Sequence, residues 1–517
     1  VHAAEQPAQN QNGVNKEEKA KQEVSVDPKA NTAQFEKVSA VKEEKTVADP
    51  TPAKEQNATS KQDSASAQTS QPAVDSVKQN AKKTQQAGNG KAALATTITL
   101  NEPKSSVVKL TESKATVQDE NSTTVVTSAK ELIDAIQKGT ANTINIGANI
   151  DLGTISSYTN TNISNKRNII IQSVAGKHCT VDFNGYGFNM YSSNYGVTFK
   201  NLDLYGRSYY GIVRSAGSYT FDNVSYTGSE LIYTDPKYNT TVNFDGNVTA
   251  HSVGSYTAPL NGKLRLCQGG NNQQVIQFAD GKNTINFNSG SNVTLTTTNS
   301  NVVEVDKGTT TINVKNGAQV SLNPHTQIFT EQHRMRMDGI ARGIASDGNT
   351  TLNIDQGGNL DINLTKNIKG WFSSDKYLSG ALYLNSGAKI NVNGNLNINS
   401  NGQPYYRSQG WDDPVYINGK ATINVNGGSF KVNATNMGDD YKGSIVTSNG
   451  KIAINHHGTF DVTGDGAKAT GVSLGNGSTF TSTQPELFNI SMPDGATAIK
   501  NGKVQFKGVK TSTGGQP

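Results

Sequence analysis

A short phrase returns several times along this chain, and it limits the possible folds more than any other feature. Residues 310–322 read TTINVKNGAQVSL and residues 350–362 read TTLNIDQGGNLDI. Related versions begin at residues 283, 388, 421 and 451. A unit that recurs every ~27–43 residues is typical of repeat architectures, in which each unit stacks on its neighbours. The sequence therefore predicts a solenoid rather than one globular core.

Each repeat has the alternation of side chains expected of β-strands. Ile312 and Val314 flank Asn313, so the aliphatic side chains face inward and the amide faces outward. The Asn-Gly pair at residues 316–317 turns the chain, and a second strand and a third short apolar stretch follow. Three strands per repeat, each stacked on the equivalent strand of the next repeat, predict a parallel β-helix. Right-handed crossover is the expected sense.

Composition divides the chain into regions. Up to about Ser128 the sequence is rich in Lys, Glu, Gln, Ala and Ser, with Phe35 as its one aromatic residue. Such a segment has too little apolar surface to offset the entropy of ordering. We therefore expect a disordered N-terminal segment, a β-helix binding domain and a short C-terminal linker, at residues 1–124, 125–510 and 511–517.

The stretch SAKELIDAIQKG, residues 128–139, predicts a helix at the head of the β-helix. Ser128 and Glu131 have capping-box spacing, and Gly139 is a typical stop. The apolar side chains Leu132, Ile133 and Ile136 would cover the open end of the first coil. This cover matters because an exposed edge of a parallel sheet invites pairing between chains. The predicted fold class is all-β, a β-solenoid with an N-terminal capping helix.

One asparagine recurs at the same place in successive repeats. We interpret this set as amides that bond one another along the rod, rather than as a row of binding residues. Its members are Asn286, Asn313, Asn353, Asn391 and Asn424.

Several classes of protein and site are disfavoured. A net charge of +5 over 517 residues indicates neither a nucleic-acid partner nor a strongly anionic surface. No apolar run is long enough to span a membrane.

The two cysteines, Cys179 and Cys267, fit no zinc motif and are expected to be small buried hydrophobes. No cofactor and no metal site are predicted. The opening VHAAEQ resembles what remains after a secretory signal is cleaved.

Function is expected where the repeats differ. Four consecutive repeats carry a long insertion between the second and third strands, so these insertions should project side by side. We call this surface the insertion flank, formed by residues 323–339, 365–380, 400–414 and 435–443. The candidate ligand-binding residues on it are His333, Arg334, Arg336, Trp371, Lys376, Tyr377, Tyr405, Tyr406, Arg407, Trp411, Asp412 and Asp413.

Aromatic rings beside cationic groups are suited to carbohydrate, because sugar C–H faces pack on rings while Arg and Lys pair with carboxylates. The alternative is that the aromatic residues only anchor long loops on the rod. A smaller cluster in an earlier repeat is an outlying candidate; it contains Arg207, Tyr209, Tyr210 and Arg214.

Catalysis has weaker support. The pairs Asp412–Asp413 and Asp439–Asp440 show no metal-cage spacing, and adjacent aspartates do not establish the opposed carboxylates of a hydrolase. Loop acids that are solvated or paired with Arg are the simpler interpretation. His333 would gain charge at mildly acid pH. We expect no enzyme activity; the alternative is a polysaccharide lyase that acts on uronate polymers.

The order of these segments carries a family resemblance. A polar N-terminus, the SAKELIDAIQKG helix, TINIGANIDL, and then phrases such as VTFKNLDLYG and TINVKNGAQV resemble the pectate lyase-like adhesive domain of lactobacillus surface proteins. In particular they resemble the binding region of serine-rich repeat adhesins. The resemblance covers about residues 125–510, although the chain has no match to the catalytic motifs of pectate lyases or polygalacturonases.

The resemblance implies a right-handed, pectate lyase-like β-solenoid that is secreted and displayed from the bacterial cell wall. It implies binding to epithelial or mucin glycans or to pectin-type acidic polysaccharide, more strongly at low pH, without catalysis. Self-association in biofilm is a further implied possibility. The resemblance transfers no ligand contacts residue by residue, so the candidate residues rest on the insertions alone.

Overall fold

We describe a computed structural model of the chain at residues 122–155, 161–189, 195–235, 239–270, 273–325, 341–365, 377–378, 380–404, 406 and 408–507. The predicted N-terminal segment and C-terminal linker lie almost wholly outside these residues. Within them the protein is nearly all β, as the sequence predicts.

The described residues from 122 to 266 contain one α-helix, one 3-10 turn at Leu152–Thr154 and thirteen strands. Their bounds are β1 Thr123–Val126, α1 Ala129–Gln137, β2 Thr143–Ile146, β3 Ile150–Asp151, β4 Asn162–Ile163, β5 Ile169–Ser173, β6 Cys179–Asp182, β7 Gly187–Phe188, β8 Val197–Gly206, β9 Gly217–Gly228, β10 Ile232–Thr234, β11 Thr240–Ser252, β12 Ser255–Thr257 and β13 Leu264–Leu266.

The rest of the described chain contains strands only. Their bounds are β14 Ile276–Phe278, β15 Lys282–Phe287, β16 Asn292–Thr297, β17 Val303–Val305, β18 Thr309–Val314, β19 Gln319–Asn323, β20 Ile344–Ser346, β21 Asn349–Ile354, β22 Asn359–Thr365, β23 Tyr377–Leu378, β24 Leu382–Leu384, β25 Ala388–Val392, β26 Asn395–Asn401, β27 Gln403–Pro404, β28 Val415–Asn426, β29 Ser429–Thr435, β30 Ser444–Asn455, β31 Thr459–Gly464, β32 Thr470–Leu474, β33 Thr479–Thr483, β34 Leu487–Ser491, β35 Thr497–Lys500 and β36 Lys503–Lys507.

Equivalent strands of successive coils pair in parallel and form three stacks. Stack A contains β10, β14, β17, β20, β24, the starts of β28 and β30, β32 and β35. Stack B contains β1, β2, β5, the starts of β8, β9 and β11, then β15, β18, β21, β25, the ends of β28 and β30, β33 and β36. Stack C contains β3, β6, the ends of β8, β9 and β11, then β16, β19, β22, β26, β29, β31 and β34. The predicted coil of three strands is therefore confirmed.

The core runs the length of the rod because inward-facing residues stack on their equivalents in neighbouring coils. In stack B, the rings of Phe199 and Phe221 lie 5.2 Å apart between centroids, and those of Phe244 and Phe287 also lie 5.2 Å apart. Along each strand these buried side chains alternate with more exposed polar ones. Each coil thus shares its apolar face with two neighbours, which is how a solenoid buries apolar surface without a globular core.

The predicted asparagine ladder is confirmed. The Asn313 amide donates to the Asn286 Oδ1 at 2.9 Å, and Asn353 donates to Asn313 at 3.0 Å. Asn391 and Asn424 continue the series at 2.8 Å and 3.3 Å. Each amide has a donor and an acceptor, so a row of Asn can bond along the rod without a break. These residues therefore stabilise the stacking of coils.

The predicted capping helix is also confirmed. The Ser128 hydroxyl accepts from the Glu131 amide at 3.2 Å, and Glu131 accepts from the Thr127 amide at 2.8 Å. Leu132 and Ile136 are fully buried in the core cluster, and Ile133 packs against it. The helix therefore closes the first coil by the apolar face that its spacing predicts.

A hairpin that the sequence analysis did not predict is bound to the outside of the early coils. Strands β12 and β13 pair antiparallel, and Arg265 on β13 donates to both Asp151 and Asp182 at 2.8 Å. The Tyr256 hydroxyl on β12 donates to Asp182 at 2.7 Å. Burial raises the pKa of Asp182 despite the nearby guanidinium. The hairpin is thus joined to the outer face of stack C by paired, buried charges.

The expectation for the two cysteines is confirmed, because Cys179 and Cys267 are both buried and unbonded to each other. Burial raises the pKa of the Cys267 thiol to about 12, so it stays protonated at neutral pH. In the described part of the chain, no helix is long and apolar enough to cross a membrane.

Candidate functional site

The insertion flank has the common origin that the sequence predicts. The four insertions follow β19, β22, β26 and β29, which are neighbours in stack C. They lead into β20, β24, β28 and β30, which are neighbours in stack A. Because both ends of every insertion are fixed in register, the insertions leave the rod side by side along the corner between stacks C and A.

Seven of the twelve candidate residues lie outside the described part of the chain. His333, Arg334, Arg336, Trp371, Lys376, Tyr405 and Arg407 lie outside the described residues, and for Tyr377 the structure describes the strand alone. The candidates with described side chains are Tyr406, Trp411, Asp412 and Asp413. They belong to the third insertion and have different environments.

Neighbouring insertions are joined to one another. Tyr377–Leu378 of the second insertion pairs in parallel with Gln403–Pro404 of the third. Asn401, where the third insertion begins, accepts from the Asn436 amide of the fourth insertion at 2.6 Å. The described parts of the second, third and fourth insertions are therefore bonded to one another rather than being independent loops.

Trp411 lies beneath this surface. It is buried in an apolar cluster with Ala345, Tyr383 and Tyr416, which are outward-facing residues of stack A. The rings of Tyr383 and Tyr416 stack with centroids 5.4 Å apart and an angle of 18°. Trp411 thus occupies the position that the loop-anchoring alternative predicts, and burial of a ring of this size holds the third insertion on the rod.

Asp412 is fully buried and is paired with Arg342. The Arg342 Nη2 lies 3.1 Å from the Asp412 Oδ1, and it also donates to the Trp411 carbonyl at 3.3 Å. The Arg342 guanidinium lies 4.4 Å from the centre of the Tyr383 ring, which is within cation–π range. The interpretation of a loop acid as Arg-paired is confirmed for Asp412. Arg342 follows the first insertion and was not among the predicted site residues.

Asp413 joins the third insertion to the fourth. Its carboxylate accepts from the Tyr441 hydroxyl, from the Thr447 hydroxyl at 2.6 Å and from the Ser444 amide at 3.3 Å. Burial raises the pKa of Asp413 to about 7, although these donors oppose the shift. The adjacent Asp412 adds to the increase. A proton at Asp413 is therefore gained or lost near neutral pH.

Tyr406 is the candidate that faces solvent. Its side chain is 47% exposed, and its ring packs edge-on against Tyr441, with centroids 6.3 Å apart and an angle of 83°. Tyr441 is itself fully buried and bonded to Asp413. A buried, hydrogen-bonded tyrosine thus supports an exposed ring that is free to contact a ligand on its outer side.

The first coils, with the capped helix and strands β1 to β10, contain the segment of the chain that is similar to a known family. Residues 123–233 match the family model of the putative pectate lyase-like adhesive domain. This match confirms the resemblance stated from the sequence. No curated protein matches the chain.

Two solved structures resemble the chain. The SRRP of L. reuteri 53608 has 15% sequence identity and a TM-score of 0.37, and the match covers 65% of this chain and 99% of that one. The SRRP of L. reuteri 100-23 has 17% identity and a TM-score of 0.35, and the match covers 75% of this chain and 98% of that one.

The outlying cluster falls within the segment that matches the adhesive domain, and its side chains are buried. Arg214 pairs with Asp235 at 2.8 Å and lies 3.5 Å from the centre of the Tyr210 ring. Arg207 donates to the Leu266 carbonyl at 2.7 Å. Arg207 therefore holds the β12–β13 hairpin against the rod, and the buried cluster offers no open face to a ligand.

In the part of the chain that the structure describes, no three His, Cys, Asp or Glu side chains lie close enough together to hold one metal ion. His456 and His457, which are adjacent in sequence, both have positive φ, 52° and 63°, in the turn between β30 and β31. They serve as turn residues, which is a use that histidine tolerates better than most side chains.

Proposed function

We propose that the chain is a non-catalytic bacterial surface adhesin that binds acidic polysaccharide, or the acidic glycans of mucin and epithelial surfaces, through its insertion flank. The observation that carries this proposal is the joined surface of the insertions, with the exposed Tyr406 supported from below. The match of residues 123–233 to an adhesive domain supports the same role. A spacer that only raised another domain from the cell surface would have no use for such a surface.

In this proposal the residues of the flank have two roles. Exposed rings, with Tyr406 as the described example and Tyr377, Tyr405 and Trp371 as candidates, pack against sugar C–H faces. Carboxylates of the polymer pair with the cationic candidates of the same insertions, which are His333, Arg334, Arg336, Lys376 and Arg407. Trp411, Asp412 and Asp413 act beneath the surface, where they fix the third insertion.

The proposal includes stronger binding at low pH. Protonation of Asp413, whose pKa burial raises to about 7, removes a negative charge from beneath the flank. Protonation of His333 would add a positive charge. Both changes favour a polyanion, and the first begins near neutral pH.

The test measures retention and products together. The full chain is passed over immobilised polygalacturonate and over mucin at about pH 4 and about pH 7, and the eluate is followed for ultraviolet-absorbing unsaturated sugars. The adhesin proposal expects retention that increases at the lower pH and no product. Calcium-dependent product would replace it with the alternative, a polysaccharide lyase, and absence of retention on every polymer would contradict both.

A further inference from the structure

Strand β1 has one bonded edge and one edge that no described strand occupies. The Val126 carbonyl accepts from the Gly147 amide of the next coil at 2.9 Å, and β2 is the described strand that pairs with β1. Backbone groups of successive residues point to opposite sides of a strand. The N–H and C=O groups of Thr123 and Val125 therefore point away from β2. An edge of this kind can accept a further strand.

An exposed apolar side chain lies on the same strand. Val125 faces outward and is 59% exposed, which is the highest exposure among the large apolar side chains that the structure describes. The inward-facing residues of β1 are better covered, because Val126 is buried and Thr124 is half-buried. A strand added at the free edge would cover part of Val125 and complete the burial of Thr124.

Residues 96–100 of the N-terminal segment have the sequence of a stack B strand. They read TTITL, whereas β18 contains TTINV at residues 310–314 and β21 contains TTLNI at residues 350–354. In both strands the third and fifth residues of this phrase are buried, and the second and fourth are more exposed. Thr and Ile also favour extended backbone. The same alternation predicts that Ile98 and Leu100 would face inward.

The separation along the chain also fits one coil. Placing Leu100 over Val126 separates equivalent residues by 26 positions. Asn145 and Gln172, which are equivalent residues of β2 and β5, are 27 positions apart. Residues 101–122 would then form the crossover, and they exceed the roughly one dozen residues that a parallel connection needs.

We propose that residues 96–100 bind the free edge of β1 as a further parallel strand of stack B, with Ile98 and Leu100 facing inward. The segment is joined covalently to β1, so its effective concentration at the edge is far above that of a second copy in solution. This advantage offsets the entropy of ordering a few residues from a segment whose composition predicts disorder. The partner of the edge is thus this chain itself.

This contact is separate from the insertion flank. Strand β1 is the first strand of stack B, whereas the insertions follow β19, β22, β26 and β29, much later along the rod. The added strand fixes the N-terminal segment at the end of the rod that α1 caps. It also occupies backbone groups that would otherwise be open to pairing with another chain.

The first test is a disulfide across the proposed pairing. In the proposed register Thr99 lies beside Val125 and both face outward, at the strand spacing of about 4.8 Å that a disulfide can span. The full chain with Thr99→Cys and Val125→Cys should therefore form an internal bond on mild oxidation. The matched control, Ile98→Cys with Val125→Cys, places the two thiols on opposite faces and should form little. The native Cys179 and Cys267 are both buried, so they remain unchanged.

The second test measures hydrogen exchange of β1 in the full chain. The variant Ile98→Asp with Leu100→Asp places charges at the two inward positions. Its matched control, Val24→Asp with Val26→Asp, makes the same change in another alternating pair of the N-terminal segment. We expect the Val125 amide, which points to the free edge, to exchange about tenfold faster in the first variant than in the parent. The control should exchange at the rate of the parent.

Each of the contrary results would overturn the proposal. A disulfide between two chains, seen as a dimer on non-reducing electrophoresis, would assign the edge to a second copy. Equal linking of the two cysteine pairs, or exchange that is equally fast in the parent and in the first variant, would show that residues 96–100 do not occupy the edge. Neither measurement involves a glycan, so these results are independent of the function proposed for the insertion flank.

Discussion

The Thr447 hydroxyl donates to the buried carboxylate of Asp413 at 2.6 Å, and so a strand of stack A is bonded directly to the third insertion. Tyr441 of the fourth insertion donates to the other carboxylate oxygen. One buried side chain thereby fixes two insertions and the rod in a single arrangement, and the protonation of that side chain affects all three.

The first prediction concerns the pH dependence of stability. Burial raises the pKa of Asp413 to about 7 in the folded protein, above its value of about 3.9 in an unfolded chain. The contribution of this group is therefore complete below about pH 4 and is lost as pH increases through about 7. Asp413→Asn should remove this contribution to the pH dependence of the free energy of unfolding. The contribution is on the order of a few kcal/mol.

Thermal unfolding between about pH 4 and about pH 8 checks this prediction. Asp355 and Asp182 also have raised pKa values, so they too make the protein less stable as pH increases. The difference between the parent and Asp413→Asn therefore isolates the contribution of Asp413. Asp461→Asn, at a half-buried position of stack C, provides a control. Identical pH profiles for the parent and Asp413→Asn would contradict the prediction.

The second prediction concerns the exposed ring of the flank. Tyr406→Ala should weaken binding to polygalacturonate or mucin by about 1 kcal/mol or more, because a central aromatic contact is removed. Tyr406→Phe should retain most of the affinity since the ring remains. Tyr195→Ala removes a tyrosine of similar exposure, 43%, outside the flank, and it should leave retention unchanged. A loss of the same size in the Tyr195 variant would show that Tyr406 has no specific role.

The third prediction concerns the asparagine ladder. Asn353 donates to Asn313 and accepts from Asn391, so Asn353→Ala removes two hydrogen bonds. We expect a loss of about 1–2 kcal/mol in the free energy of unfolding, measured by urea denaturation. Thr351→Ala, on the same strand and the same outer face, is the control and should cost less than about 0.5 kcal/mol. A larger loss of stability in Thr351→Ala than in Asn353→Ala would contradict the structural role assigned to the ladder.

The fourth prediction concerns the ion pairs that hold the β12–β13 hairpin on the rod. Arg265→Ala leaves Asp151 and Asp182 without their cationic partner in a buried site, which costs about 3–5 kcal/mol in comparable cases. We expect the β12–β13 hairpin to become sensitive to limited proteolysis before the rest of the rod unfolds. Leu264→Ala, at a neighbouring side chain that is 56% exposed, should leave the digestion pattern unchanged. Resistance of the Arg265 variant to proteolysis would show that the Tyr256 hydrogen bond and the backbone are enough to hold the hairpin on the rod.

The sequence predicts the regular parts of the structure because their residues act through a short repeat. Ile312 and Asn313 already indicate which side of the strand is buried and which amide stacks on Asn286. The Ser128 and Glu131 spacing likewise predicts the start of the helix, since capping depends on residues three apart. The attachment of the insertions side by side follows from the same repeat.

The candidate site was predictable in its location and less so in its detail. Trp411 and Tyr406 are five positions apart in one insertion and have the same aromatic character in sequence. Nonetheless, Trp411 is 6% exposed and Tyr406 is 47% exposed. No period governs an insertion, so nothing local indicates which ring packs on Tyr383 and which faces solvent. Arg342 was missed because its partner, Asp412, is 70 residues away in the chain.

The sequence by itself thus determined the coil, its inward and outward faces, its cap and the corner from which the insertions leave, because these depend on repeated local patterns. Only the tertiary structure decided that Arg265 meets Asp151 across 114 residues and that Asp413 is buried between two insertions. These relationships depend on the register between coils and on the folding of aperiodic loops, and contacts between residues distant in sequence fix both.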